Sequence, residues 1–402
     1  MSVAEAVERA HREEWARVLA AVVRLTRDLD LAEECVQDAF AQALRTWPDT
    51  GVPDRPGAWL TTVARNRAVD RLRRETALRR MLPLLVTDDI APPADDRLGL
   101  ILMCCHPALS RDAQVALTLR LVCGLSTADV ARVYLVPEPT MAARITRAKR
   151  KIATARIPFR VPGPDELPAR VQAACEVVHL VFTTGHTAPS GPELQRTDLT
   201  DSAIAVARML RLQLPRDPEV AALLALLLLI DARRTTRTTP DGRLLLLSEQ
   251  DRSQWDGARI AEGTALLGEA LRRPPTRWAV EAAIAAVHAE SPSWEATDWS
   301  EICGLYAALA DLWPSPVVTL NHAVALGLRD GPEAGLAALE PLLSEPSLAG
   351  YGYLAAARAD FLRRLGRREE AALAYEEALA LTANESERAF LTARLADLDH
   401  PQ

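Results

Sequence analysis

Ser126-Thr-Ala-Asp-Val-Ala-Arg-Val-Tyr134, Leu135-Val-Pro-Glu-Pro139 and Thr140-Met-Ala-Ala-Arg-Ile-Thr-Arg-Ala-Lys-Arg-Lys151 follow one another without interruption. A short helix, a tight turn and a second helix with cations on one face make a helix-turn-helix. Ser126 can cap the first helix, Asp129 stands at its acidic third position, and Leu125 is placed to staple onto Val130. Pro137 and Pro139 cannot continue a preceding helix but fit the first turn of a new one, so the break is expected at 135–137. In the second helix Met141, Ile145, Ala148 and Ile152 form one apolar stripe. Thr140, Arg144, Arg147 and Lys151 share the other face, beside Arg150, where long cationic side chains reach phosphates and base edges in a major groove. A solvated cationic face on an ordinary helix has the same pattern, so the stretch alone does not choose.

The chain has 402 residues, enough for two or three domains, with 49% hydrophobic, 25% charged and 4% aromatic content. Ala, Leu and Arg dominate and strand-favouring runs are scarce, which points to an all-α protein, and six cysteines scattered without a framework suit a reducing cytoplasm. The most apolar run, Val220 to Ile230, is far shorter than the ~18 to 20 residues of a membrane span, so no membrane partner is expected. Net charge is -7, yet residues 1–160 carry +5 and the remainder -12. A basic front half joined to an acidic back half suits a DNA-contacting part coupled to one that does not touch DNA. Prolines 158, 162, 164 and 168 mark the join.

Ahead of the opening motif, two amphipathic helices are expected over 11–27 and 31–47, the second stopped by Pro48 and presenting Glu33, Glu34, Gln37 and Asp38 on an exposed acidic face. A third, 58–74, packs Trp59, Leu60, Val63, Ala64, Val69 and Leu72 and crowds Arg65, Asn66, Arg67, Asp70, Arg71, Arg73 and Arg74 on its other side. Arginine mixed with amide and carboxylate groups beside an aromatic suits single-stranded or partly opened DNA. Arginine nearly replaces lysine here, Lys149 and Lys151 being the only lysines, so placement and not number carries that reading. Asp88, Asp89, Asp95 and Asp96 are separated by prolines and read as a solvated acidic connector rather than a magnesium site. The six cysteines have no framework of spacings. Cys104, Cys105 and His106 are adjacent, and neighbours in sequence rarely point to one centre, so packing is expected and neither metal nor cofactor.

The acidic string Leu-Ala-Glu-Glu-Cys-Val-Gln-Asp-Ala-Phe (31–40), Pro-Gly-Ala-Trp-Leu-Thr-Thr-Val-Ala-Arg-Asn-Arg-Ala-Val-Asp-Arg-Leu-Arg-Arg (56–74), an acidic connector and a helix-turn-helix together resemble a bacterial extracytoplasmic-function (ECF) sigma factor. The strings at 95–98, 104–110 and 147–152 resemble the subgroup with a long, tetratricopeptide-like helical extension. The resemblance implies a region 2 domain over 1–76, a linker over 77–98, a region 4 domain over 99–157 and a helical C-terminal domain over 158–402. It implies core RNA polymerase and promoter DNA as partners. Glu33, Glu34, Gln37 and Asp38 would dock on polymerase. Arg65, Asn66, Asp70, Arg71 and Arg74 would serve the minus-ten element, and Thr140, Arg144, Arg147 and Lys151 the minus-thirty-five element. Pro139 departs from the small residue usual at that place in the turn.

Over 171–398 nearly every segment reads as helix, with a repeat-like unit at 353–384 in which Ala371, Tyr375 and Ala378 hold small and aromatic positions and Asn384 ends the second helix. Leu244 to Leu247 between turn signals reads as a short strand or a buried extended clip. No nucleophile motif, phosphate loop or His-Glu-x-x-His string occurs, so no enzymatic activity is expected. An acidic helical array suits a protein partner, and the subgroup resemblance implies regulation through it. The alternative is a helix-turn-helix regulator whose array senses a ligand or protein.

Overall fold

The computed structural model describes residues 2–78, 96–134 and 136–398, with backbone alone for 75–78. Most of the acidic connector, including Asp88, Asp89 and Asp95, and Leu135 of the turn lie outside the described residues. Among the described residues the secondary structure is helical, with two isolated β-bridges and no strand. The chain forms two compact units, 1–178 and 179–402.

In the first unit α1 (Val3–Thr26) starts on a capping box between Ser2 and Glu5 and ends at Arg27, whose φ of 54° is left-handed. Asp28 caps α2 (Leu29–Thr50) by accepting from the amides of Asp30 and Leu31. Pro48, expected to stop α2, instead lies inside it. It sits in the last turn, two residues before the helix ends at Thr50, so only the bond to the Leu44 carbonyl is lost. The third helix, α3 (Pro56–Leu78), closes a three-helix domain around Trp15, Leu19, Val36, Trp47, Leu60 and Ala64, all buried. Trp47 and Trp59 lock α2 to α3 edge to face at 5.5 Å.

Four further helices build a second, smaller domain: α4 (Arg97–Cys104), α5 (Arg111–Leu117) running into a π-helical turn (Thr118–Val122), α6 (Thr127–Val133) and α7 (Glu138–Thr154). Ser126 and Asp129 form the capping box of α6, and Pro139 occupies the first turn of α7. Cys104 and Cys105 pack inside this domain, where burial raises both thiols, Cys105 to about 11. Helix α8 (Leu167–His186) follows, and the division between the units falls inside it.

The second unit contains α9 (Thr197–Gln213), α10 (Pro218–Asp231), α11 (Gly257–Ala270), α12 (Arg277–Glu290), α13 (Trp299–Leu312), α14 (Pro316–Arg329), α15 (Pro332–Leu339), α16 (Gly352–Arg364), α17 (Arg368–Leu381) and α18 (Glu385–Ala396). Helix α10 is apolar all round because α9, α11 and α12 surround it, and Val220 to Leu229 are buried without a break. The α16–α17 pair turns at Gly366, where φ of 73° favours glycine, and buries Ala371, Tyr375 and Ala378. Asn384 caps α18 instead of ending α17, and its amide donates to the carbonyls of Ala188 and Glu193 at 3.0 and 2.9 Å. The last helix is thereby tied to the loop after α8. Leu244 makes an isolated bridge to Thr238 and Leu247 enters a short 3-10 turn, so the leucine run is an extended clip, but it is not buried: Leu246 is exposed and the other three are half-buried.

Candidate DNA and polymerase interface

Helix α7 buries Met141, Ile145, Ala148 and Ile152 and thereby turns Thr140, Arg147 and Lys151 outward, with Arg144 half-buried beside them. Among the described residues no carboxylate pairs with Arg144, Arg147 or Lys151. They line a concavity of about 430 Å3 between α5 and α7, together with Tyr134, whose hydroxyl donates to the Asp112 carbonyl at 3.0 Å. Cations left without partners on a helix placed by a turn offer their full charge to a polyanion.

On α3 the arginines divide into two groups. Asn66, Asp70 and Arg74 are exposed and Arg65 half-buried. Arg71 forks onto Glu34 with two hydrogen bonds of 2.9 and 2.8 Å, and Arg67 reaches Asp38 at 3.2 Å and Gln42 at 2.9 Å. The acidic edge of α2 and the basic edge of α3 therefore face each other, and Glu34 and Asp38 are engaged within their own domain. Gln37 is exposed.

Glu33 departs from the exposed face expected for it: it is 5% exposed. The π-helical turn brings Arg120 against one of its carboxylate oxygens, and Lys149 of α7 donates to the other at 2.8 Å and to Asp30 at 2.6 Å. Burial works against the Lys149 ammonium, but Glu33 and Asp30 overcome it and hold the group above its ordinary value. Beside this cluster the Trp15 indole donates to the Leu121 carbonyl at 3.0 Å, and His11 packs tilted against Trp15 at 4.9 Å and edge to face against Phe40 at 5.1 Å. Burial and then Arg120 lower the His11 pKa. Gly124, at φ 74°, would bring any side chain within 3.0 Å of His11 and Trp15, so the turn before α6 rests on α1. The two helical domains of the first unit are thus closed on each other through α1, α2, the π-helical turn and α7.

Spacing along α2 carried a signal for Glu33. Leu29, Glu33, Val36 and Phe40 are separated by four, three and four residues, the rhythm of the buried stripe of α7. Lys149 likewise follows Ile145 by four and precedes Ile152 by three, off the outward cationic face.

A three-helix domain followed by a helix-turn-helix domain, each with its own basic face, defines a promoter-binding transcription protein. Known proteins agree. Residues 12–77 match the Sigma-70 region 2 family, 99–152 match Sigma-70 region 4, and 170–271 match a family of unknown function, DUF6596. An uncharacterized protein of Rhizobium meliloti (strain 1021) is 42% identical over 95% of this chain and 93% of its own length. The ECF RNA polymerase sigma factor SigK of Mycobacterium sp. (strain KMS) is 37% identical over 20% of this chain and 42% of its own. SigK of Mycobacterium ulcerans (strain Agy99) is 42% identical over 15% of this chain and 33% of its own. No solved structure matches. The chain thus carries Sigma-70 region 2 and region 4 domains similar to those of ECF RNA polymerase sigma factors, followed by a helical C-terminal extension. Its sigma domains imply core RNA polymerase and promoter DNA as partners. No described helix is long and apolar enough to cross a membrane.

Proposed function

We propose that this sigma factor occurs in a closed state in which its region 4 domain covers part of its polymerase-docking surface, and that the C-terminal domain controls the opening. The carrying observation is Glu33, an acidic docking residue of α2, held by Arg120 and Lys149 of the neighbouring domain. A carboxylate so neutralised offers nothing to a basic partner until its cations leave.

In the open form Glu33, Glu34, Gln37 and Asp38 dock on polymerase. Arg65, Asn66, Asp70, Arg71 and Arg74 then engage the opened minus-ten element, and Thr140, Arg144, Arg147 and Lys151 the duplex at minus-thirty-five. Exchange partners are at hand: when Glu34 and Asp38 turn to polymerase, Arg71 and Arg67 are released for DNA. Control is assigned to the C-terminal domain because α8 holds region 4 directly. Arg170 donates to the Leu102 carbonyl and Glu176 pairs with Arg111. A protein partner of the array would act through that helix.

Run-off transcription with core polymerase and full-length protein tests the reading. Promoter-specific transcripts are expected, and Arg170→Met should change their yield. Duplex binding without any polymerase-dependent transcript overturns the sigma assignment for these residues, and an Arg170→Met yield equal to wild type removes α8 from the control.

A further inference from the structure

The C-terminal array contains a knot of cations that its carboxylates do not serve. After α10 the chain makes a tight turn. The Thr236 amide and hydroxyl both donate to the Arg233 carbonyl, at 3.1 and 3.0 Å, and the buried Trp255 indole donates to the same hydroxyl at 3.0 Å. The turn is therefore fixed from two sides, and it carries Arg233, Arg234 and Arg237.

Their partners differ sharply. Arg234 takes Asp231 and Asp201 at 2.7 and 2.6 Å, and Arg259 takes Asp231 and Asp256, so the nearby acids are used. Arg237, 8% exposed, donates only to neutral oxygens: the His186 carbonyl and the Thr187 hydroxyl, the latter at 3.0 Å. Arg252 does the same, with the carbonyls of His288 and Ser291 at 2.6 and 2.7 Å. Arg233 is half-buried, and among the described residues its guanidinium has neither hydrogen bond nor ion pair. Its charged and titratable neighbours are Arg237, His186 and His288. His288 Nδ1 is buried without a hydrogen-bond partner.

Burial, opposed by no anion, brings Arg233 down to about 10. Burial and then Arg233 bring Arg237 to about 9, although Tyr353 and Glu387 act the other way. Burial first and the arginines second depress His288 to about 4 and hold His186 well below its ordinary value. Removing a guanidinium from water without a counter-ion is unfavourable. A guanidinium fork has five donors matched to carboxylate and phosphate oxygens.

The geometry points to a small-oxyanion site in the C-terminal array, at which the Arg233 guanidinium, supported by Arg237, takes a phosphate or carboxylate group of a diffusible ligand. Arg234 and Arg259 are satisfied structural arginines and stay outside it. Recognition by Arg233 supplies the missing counter-charge, and the two histidines held neutral leave both arginine charges to the ligand. Bound there, the anion joins the turn after α10 to the end of α8 through Arg237, the place where an effector would act on the array.

Calorimetric unfolding of the full-length protein, titrated with inorganic phosphate or with succinate against sodium chloride at matched ionic strength, tests this independently of any transcription assay. Millimolar phosphate or succinate should raise the transition of the second unit by roughly 2 °C or more. Which of the two acts distinguishes a phosphate from a carboxylate ligand. Arg233→Met should abolish the rise and, by removing an uncompensated charge, leave the anion-free protein at least as stable as wild type. Arg233→Lys keeps the charge without the fork and should weaken binding at least several-fold, which covers the case of a methionine variant that does not fold. Absence of any rise with either anion, or an undiminished rise in Arg233→Met or Arg233→Lys, overturns the site.

Discussion

Lys149→Glu should strengthen binding to core polymerase, although it alters the DNA-binding domain and removes a positive charge. The Lys149 and Glu33 side chains are 12% and 7% exposed, whereas Asp30 is 76% exposed and contributes little to the contact. Removing one member of a buried pair costs about 3 to 5 kcal/mol. Arg120 remains to neutralise Glu33, so the lower figure applies to loss of the lysine, and the new carboxylate adds repulsion from Glu33 and Asp30. At about 1.4 kcal/mol per tenfold, a change of about 3 kcal/mol moves the closed–open equilibrium on the order of 100-fold. Apparent affinity rises in proportion to the competent fraction, so the gain in core binding is bounded by that same factor. Fluorescence anisotropy of the full-length chain against core polymerase reads the affinity. Energy transfer between labels at the exposed positions Leu44 and Arg150 reads the opening. Lys151→Glu is the control: Lys151 is exposed and unpaired, so it should cost DNA binding and leave the label distance alone. An unchanged label distance in Lys149→Glu refutes the closed contact. An increased distance without tighter core binding refutes Glu33 as a docking residue.

Three further outcomes are expected. Arg144→Ala or Arg147→Ala should cost about 1 to 3 kcal/mol at the upstream element if the guanidinium reads bases, measured as competition between cognate and scrambled duplexes; an equal, salt-dependent loss on both would assign phosphate contacts instead. Burial holds His179 and His288 at about 4, with Arg277 acting on the first and Arg233 and Arg252 on the second. The unfolded chain therefore binds these protons first, so the second unit should be fully stable above about pH 6.5 and lose no more than about 3 kcal/mol per histidine as pH falls toward 4. Urea melts at pH 7 and 5 check the sign, and equal midpoints would contradict it. Finally, Gly327→Ala places a methyl 2.3 Å from the buried Phe361 ring and 3.0 Å from the Gly335 backbone, where α14, α15 and α16 meet. It should destabilise the array by about 1 to 3 kcal/mol in the same melts, unless the ring can move aside.

What was legible in the sequence, and what was not, follows from the range of the interactions. The helix-turn-helix depends on local signals: a Ser126–Asp129 capping box, a stripe of period 3.6, and prolines that permit only a first turn. Each of these appears where the residues require it. Helical breaks in the second half, at 214–217, 271–276, 313–315 and 365–367, are likewise written in Pro and Gly. Glu33 departs from its expected exposure because an acidic residue among acidic neighbours reads as surface, whereas one of the partners that bury it lies more than a hundred residues away on α7. The same holds for Arg233, whose missing counter-ion depends on the end of α8, the turn after α10 and α12 brought together and has no local pattern. Charge placement is therefore the least readable part of this chain, and it is also the informative part. Acidic α2 and basic α3 satisfy one another within region 2, and Glu33 satisfies Lys149 across to region 4. Among the described residues, the outward face of α7 and Arg233 of the turn after α10 carry charge that no carboxylate serves. A folded chain tolerates unserved charge where a partner supplies the counter-charge, and the two places differ accordingly: the first is an extended row of cations, suited to a duplex, and the second a half-buried guanidinium on a tight turn, suited to a small anion.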